Sequence, residues 1–279
     1  MAIENIPENF IKDQEKHPDL FVYDFKMTSD VVKSKVKLGM NMFSFLQVGK
    51  KQVHFAGTSV AVNKDQSLLL KKGNWLWTEL LDTEAIYYCK LLFFSEEKLI
   101  GFLSKYTNSV KPHQDGMPCF VIENDDYLAA FISSLSSDTF IDQHFSEALL
   151  GLKFEEIMLY LLNKYGSNFE YYLHSLISKE VSPFKNTIES HVHSNLKLEE
   201  IAFLCNMSLS TFKRHFTNEY QEPPGKWLQD KRLQKAKELL QAGELKASDI
   251  YLDVGYNNLS NFSIAFKNKF GISPTDISN

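Results

Sequence analysis

The chain has 279 residues, 44% hydrophobic and 23% charged, a mix that excludes a disordered or fibrous chain and, at ~150 residues per domain, points to two domains. Its 30 Lys and Arg face 35 Asp and Glu, a net of -5, so mean charge supplies no attraction to nucleic acid and any such contact must come from local placement of cations. No apolar run approaches the ~18–20 residues of a membrane-spanning helix, and three scattered cysteines (Cys89, Cys119, Cys205) give no CxxC spacing and an odd count. The first stretch, MAIENIPENFIKDQEKHPDL, carries acids and no apolar core, unlike a secretory leader, so no membrane partner and a cytoplasmic location are expected.

Residues 31–94 read as seven short strands: VVKSKVKL, NMFSFLQV, KQVHFAG, SVAVN, SLLLKKG, WLWTELL and AIYYCKLLFF. They are rich in β-branched and aromatic residues, and turn residues separate them at Gly39, Gly49-Lys50, Gly57, Asn63-Lys64-Asp65 and Gly73-Asn74. Seven runs at ~8–12-residue spacing predict an antiparallel sandwich or barrel. Apolar residues then recur three and four apart over Glu123–Ser134, Ser146–Tyr165 and Asn168–Lys179 (Phe145, Leu149, Leu152, Ile157 and Leu161, for example), which predicts helices. Ser182-Pro183 interrupts the pattern, because Pro disfavours helix at the residue before it. The expected boundary lies there, giving domains 1–182 and 183–279 and an α+β chain: a β-rich N-terminal domain with following helices, then an all-α C-terminal domain.

From Phe184 to Asn279 there are 12 Lys and Arg against 11 Asp and Glu, so this part is +1 and the rest -6. Both arginines of the chain, Arg214 and Arg232, lie here, leaving two side chains able to grip a base edge or phosphate with two hydrogen bonds. Short helices are expected over Phe184–Ser194, Leu198–Cys205 and, capped by Ser208, Leu209–Tyr220. Pro223-Pro224 opens a longer helix to Gln241, stopped at Gly243, with Trp227, Leu228, Leu233, Ala236, Leu239 and Leu240 as its apolar stripe. Ser248–Leu252, a break at Gly255 and Asn258–Phe270 complete the pattern.

Two helix–turn–helix units, 198–220 and 248–270, joined by one long helix, carry the functional reading. In the first, Ile201, Ala202 and Leu204 point inward, Met207 fills the angle, and Phe212 and Phe216 hold the second helix down. In the second, Ile250, Val254, Tyr256, Phe262, Phe266 and Phe270 point inward, and Gly255 supplies a backbone able to turn sharply. The opposite faces are left with Ser210, Lys213, Arg214 and Thr217, and with Ser260, Ser263, Lys267 and Asn268. An α-helix fits the major groove of B-DNA, where such side chains reach base edges and phosphates.

The segments LEEIAFLCNMSLSTFKRHF, PPGKWLQDKRLQKAKELL and DIYLDVGYNNLSNFSIAFKNKFGISP resemble the AraC/XylS family of bacterial transcription regulators over about Phe184–Ile277. Gly255-Tyr256, Phe262, Phe266-Lys267, Phe270-Gly271 and Ser273-Pro274 match its C-terminal signature. The resemblance implies that the second helix of each unit enters successive major-groove segments, with Ser210, Lys213 and Arg214 as base readers in the first unit and Leu259, Ser260, Ser263 and Ile264 in the second. Lys267 and Lys269 would sit near phosphate. Many members carry Arg where this chain has Ile264, and a Tyr-Arg pair in place of Asp276-Ile277. The second unit should therefore read DNA more weakly, through thymine methyls or mainly through the backbone. For Arg232, inside the linker helix beside Leu233, the structural role is preferred: an ion pair or carbonyl contact tying the units together.

The N-terminal half resembles, more distantly, the cupin-like sensing and dimerisation domain of many members, and LKFEEIMLYLLN with LHSLIS resembles the subgroup that includes type III secretion activators. The resemblance implies a regulator, an activator in type, with double-stranded DNA and RNA polymerase as partners, a homodimer built on helices near 146–179, and a small-molecule effector or a protein antagonist as its signal.

Other constellations favour blander readings. A cupin metal site needs an HxH pair on a strand, and the strands hold only His54. His191-Val192-His193 falls on an expected helix, where the two rings point ~200° apart. Neither metal nor cofactor is expected. Trp75, Trp77, Tyr87, Tyr88, Phe93 and Phe94 read first as core and second as an aromatic-lined ligand pocket, with His54, Trp75, Trp77 and Tyr87 as its candidate lining. Cys89 and Cys119 read as buried hydrophobes, and GxSxG, Walker A, GxGxxG and HExxH motifs are absent from the sequence. The alternative of a different class is a metal-free cupin-type binding protein or enzyme whose helical tail mediates assembly.

Overall fold

The computed structural model describes residues 3–11, 18–55, 58–107, 119–135, 143–177, 183–194, 196–242 and 245–277. The expected turn at Gly57, the helix end at Lys179, the break at Ser182 and the helix stop at Gly243 lie outside these residues. The chain divides into two compact units between residues 180 and 181, the tip of one hairpin apart.

Among the described residues the N-terminal unit is built on ten strands: β1 (Ile3–Ile6), β2 (Leu20–Met27), β3 (Val31–Leu38), β4 (Asn41–Val48), β5 (Lys50–Phe55), β6 (Thr58–Val62), β7 (Gln66–Leu70), β8 (Gly73–Leu80), β9 (Tyr87–Phe94) and β10 (Cys119–Glu123). They form two five-stranded sheets, ordered β1-β3-β8-β5-β6 and β10-β7-β4-β9-β2. The seven runs expected within 31–94 are β3 to β9. Three strands lie outside that interval, and one of them, β1, runs parallel to β3, so the sheets are not wholly antiparallel.

Helices α1 (Glu96–Tyr106), α2 (Asp126–Ser134), α3 (Gln143–Tyr165) and α4 (Ser167–Ile177) follow or interrupt the strands. Helix α1 starts where the Ser95 hydroxyl accepts the Lys98 amide, and α2 where Asp125 accepts the Leu128 amide. That second cap corrects the expected helix over Glu123–Ser134. Residues 119–123 pair antiparallel with β7, and the helix begins only after Asp125. Alternation along the second sheet sends Phe43, Phe45, Leu69, Leu92 and Phe94 toward the helices, where they meet Leu99, Phe102, Phe131, Phe154, Ile157, Leu161 and Phe169 in one core. Both faces of β4 and β9 are thereby covered, which is why NMFSFLQV and YYCKLLFF read as nearly unbroken apolar runs. Within α3 the inward face is Phe154, Ile157, Met158 and Leu161, whereas Leu149 and Leu152 are exposed.

The C-terminal unit is all helix: α5 (Pro183–His191), α6 (Leu198–Leu204), α7 (Leu209–Tyr220), α8 (Pro224–Gln241), α9 (Ala247–Ile250) and α10 (Leu259–Phe270). Helix α5 ends three residues short of the expected Ser194, so His193 lies in the turn beyond it rather than on a helical face. Among the described residues no helix is long and apolar enough to cross a membrane.

Candidate nucleic-acid interface

Each unit is made by the same local chemistry. Helices α6 and α9 open with a carboxylate reaching back to the cap backbone: Glu200 accepts the Lys197 amide at 2.8 Å, and Asp249 the Lys246 amide at 2.9 Å. The turns that follow them each hold a left-handed residue, Asn206 (φ 58°) and Gly255 (φ 84°), and then an amide that turns back 2.9 Å to a carbonyl, Met207 to Ala202 and Tyr256 to Tyr251. Helices α7 and α10 then start under side-chain caps, Ser208 to the Thr211 amide and Asn258 to the Asn261 amide, and both stop at a left-handed residue, Gln221 and Gly271.

What pins them is aromatic. Phe212 and Phe216 are fully buried, in ring contact with each other, Phe184, Tyr220 and Trp227. Phe262 and Phe266 repeat the arrangement with Tyr256 and Phe270. Each buried Phe contributes roughly 1.5–3 kcal/mol, so the two pairs define the inward faces of α7 and α10. In α6 the third inward residue is Phe203 rather than the expected Leu204, which is half-buried.

The outward faces hold the expected residues. Ser210, Lys213, Arg214 and Thr217 are exposed on α7, and Leu259, Ser260, Ile264 and Lys267 on α10, with Ser263 half-buried between them. Among the described residues Lys213, Arg214 and Lys267 have no ion-pair partner, so their charges face solvent. Lys269 differs: its Nζ lies 2.6 Å from Asp230 Oδ1 and 3.0 Å from the Asp230 carbonyl, a tie from α10 to α8 that occupies the cation expected near phosphate.

Arg232 takes the expected structural role. Its Nε donates to the Val192 carbonyl at 2.9 Å, one terminal nitrogen to the Gly255 carbonyl at 3.3 Å, and the other to the Ser194 carbonyl. The guanidinium thus joins the chain after α5 to the turn of the second unit. Burial lowers its proton affinity, against an opposing pull from Tyr256.

In the N-terminal unit the candidate pocket residues divide. Trp75, Trp77 and Tyr87 are buried between the sheets. Lys51, only 1% exposed, donates to Glu79 at 2.7 Å and lies 3.9 Å from the Trp77 ring centre, while the Tyr87 hydroxyl donates to the same Glu79 oxygen at 3.0 Å. The Trp75 indole donates to the Lys71 carbonyl. His54 does not join them: it alternates with Lys51 and Val53 on β5 and so lies on the other face of that strand. Lys51 and Glu79 are the polar residues that sequence reasoning missed. Their only signal is a charge at an inward position of two strands, which reads as surface until the register is known. Burial raises the Cys89 thiol to about 11 and Cys119 to about 12, so both remain protonated. Among the described residues no group of three His, Cys, Asp or Glu side chains is placed to hold a metal.

Residues 41–172 match the family described as the ExsA N-terminal regulatory domain, and residues 201–279 match a helix-turn-helix domain. Among curated proteins the chain is 28% identical over 125 residues to the HTH-type transcriptional regulator ExsA of Pseudomonas aeruginosa, covering 44% of this chain and 45% of that one. It is 28% identical over 132 residues to the virulence regulon transcriptional activator VirF of Yersinia enterocolitica, covering 47% and 49%. The chain therefore spans about half the length of the curated relatives it matches. Among solved structures it is similar to apo ToxT of Vibrio cholerae, at 16% identity and a TM-score of 0.44 over 93% of this chain and 97% of that one.

Proposed function

We propose that the chain, a regulatory domain followed by a helix-turn-helix domain, is a member of the AraC/XylS family and a sequence-specific DNA-binding transcription activator. The observation that carries this reading is the pair of matched helices α7 and α10, each held by two buried phenylalanines and each exposing a polar or cationic ridge. Ser210, Lys213, Arg214 and Thr217 serve as the main base-reading and phosphate contacts. Leu259, Ser260, Ser263, Ile264 and Lys267 form the second, less charged contact, and Lys269 acts through its tie to Asp230. Arg214 is the residue suited to bidentate contact with a guanine edge, since its fork matches two acceptors.

Residues 1–182 serve as the input domain and 183–279 as the output domain. A small molecule or a protein antagonist acts on the first, and RNA polymerase is the target of the bound complex. Dimerisation through α3 is supported by Leu149, Leu152 and Leu159, which are exposed along one side of that helix. The cell interior is the compartment such a regulator requires.

A mobility-shift titration of the full chain on duplexes enriched from a random library tests the reading. Affinity should fall steeply with salt, because Lys and Arg displace counterions from phosphate. Arg214→Ala should cost ~1–3 kcal/mol and relax preference at one base pair, whereas Lys267→Ala should weaken all sequences alike and reduce the salt slope by about one. Enrichment of no duplex, or an unchanged Arg214→Ala profile, overturns the assignment.

A further inference from the structure

Helices α7 and α10 match position for position in their local design: twelve residues each, a side-chain N-cap and a left-handed C-cap on both, and buried phenylalanines at the same fourth and eighth positions. Position by position, Ser210 corresponds to Ser260, Lys213 to Ser263, Thr217 to Lys267 and Arg214 to Ile264. At ~100° per residue, the sixth position of such a helix points away from the buried fourth and eighth, at the crest of the outward face. One unit carries a guanidinium there and the other a branched hydrocarbon.

Ile264 is 60% exposed, and its helical neighbours Ser260, Asn261, Lys267 and Asn268 are all exposed polar residues. A single exposed Ile is ordinary on a protein surface. Here it occupies the one place where the sister helix presents its longest hydrogen-bonding side chain. An Ile side chain offers no donor or acceptor, so at that crest it reads neither a purine edge nor a phosphate. The major groove has one apolar feature of matching size, the 5-methyl group of thymine.

Resting on the DNA-binding reading above, we propose that the two units read different chemistry at the same helical position, with Ile264 selecting a thymine through its 5-methyl group where Arg214 selects a guanine. Ser260 and Lys267 flank Ile264 and hold the helix to the backbone, so the hydrocarbon is pressed into the groove rather than left at its mouth. Binding by the second unit is then selective for base but weakly dependent on salt at that position, since no ion is displaced by the contact.

The test uses the full chain and a randomised duplex library. The best enriched duplex is resynthesised with deoxyuridine for thymidine, one position at a time, which removes the methyl and leaves every hydrogen-bonding edge in place. One position should lose about fourfold in affinity, the worth of one buried methyl-sized group. In Ile264→Ala that position should show no difference between thymidine and deoxyuridine, and Ile264→Arg should move its preference from thymine to guanine. The proposal is overturned if every deoxyuridine substitution is neutral, or if the penalty persists in Ile264→Ala, while Arg214→Ala still relaxes preference elsewhere; that pattern leaves the DNA-binding reading standing. Enrichment of no duplex overturns both.

Discussion

Gly255 shows how much can depend on one missing side chain. Its backbone sits at φ 84°, and a Cβ there would lie 2.8 Å from the Ser194 carbonyl oxygen and 2.9 Å from Arg232 Nε. The first penalty is conformational and the second steric, and both fall on the group that joins α5 to the second unit. Gly255→Ala should therefore destabilise the C-terminal unit by ~1–3 kcal/mol, read as a lower urea midpoint with unchanged slope. Asn206 supplies the control. It takes the same turn at φ 58°, and Asn tolerates that region through its short polar side chain. Asn206→Gly should change the midpoint little, and an equal loss at both sites would refute the steric part of the argument. The turn at Gly255 is legible in the sequence because Gly breaks a helical period. Its closeness to Arg232 is not, since twenty-three residues of chain separate the pair and only folding brings α8 against the turn.

At the scale of elements, legibility follows periodicity. α7 and α10 each carry a full apolar stripe, a capping side chain and a left-handed terminating residue, and α8 carries an apolar stripe opened by Pro224, so their bounds are readable to within a residue or two. Strands β1 and β10 are short and lie at sheet edges, where local pattern is weak, and α1 opens on three charged residues, Glu96, Glu97 and Lys98. The outward ridge of α10 was readable, yet the loss of Lys269 to Asp230 was not, because nothing local marks which exposed lysine finds a carboxylate. Helix α3 carries the corresponding lesson for partners. Phe154, Ile157, Met158 and Leu161 are buried in the core and Leu150, Tyr160, Leu162 and Tyr165 pack at its edge, leaving Leu152 65% exposed with Leu149 and Leu159 beside it. If two chains pair through this side of α3, Leu152→Glu should convert a dimer to a monomer in sedimentation equilibrium while leaving the fold intact. A chain that is monomeric before substitution, or a variant that still dimerises, would remove α3 as the contact.

For the whole molecule the two units should respond to acid in different pH windows. In the C-terminal unit His191 is buried and its Nδ1 donates to the Thr187 carbonyl at 2.6 Å; burial holds its pKa below the usual 6.5. His193 is lowered too, by burial first and then by the charges of Lys235 and Arg232, against an opposing pull from Glu238. A histidine lowered on folding binds its proton more readily in the unfolded chain, so its contribution is complete above about pH 6.5 and is lost as pH falls below that value. The ceiling is ~1.4 kcal/mol per pH unit for each group, and the half-buried His193 should deliver only part of it. In the N-terminal unit the lowered group is a carboxylate. Asp125 caps α2 and, although burial opposes it, hydrogen bonds from Lys164, Tyr160 and the Leu128 amide bring it down to about 2. Its stabilisation is present above the ordinary carboxylate pKa near 4 and is lost only on further acidification, and it is small because solvent reaches the half-buried carboxylate. Between pH 7 and 5.5, amide protection factors, taken relative to intrinsic exchange at each pH, should therefore fall in α8 and around residues 191–194 while the sheets of the N-terminal unit keep theirs. Replacing both His191 and His193 with Gln should abolish that difference. An equal fall in both units, or none in α8, would show that these imidazoles are not what ties the C-terminal unit to neutral pH.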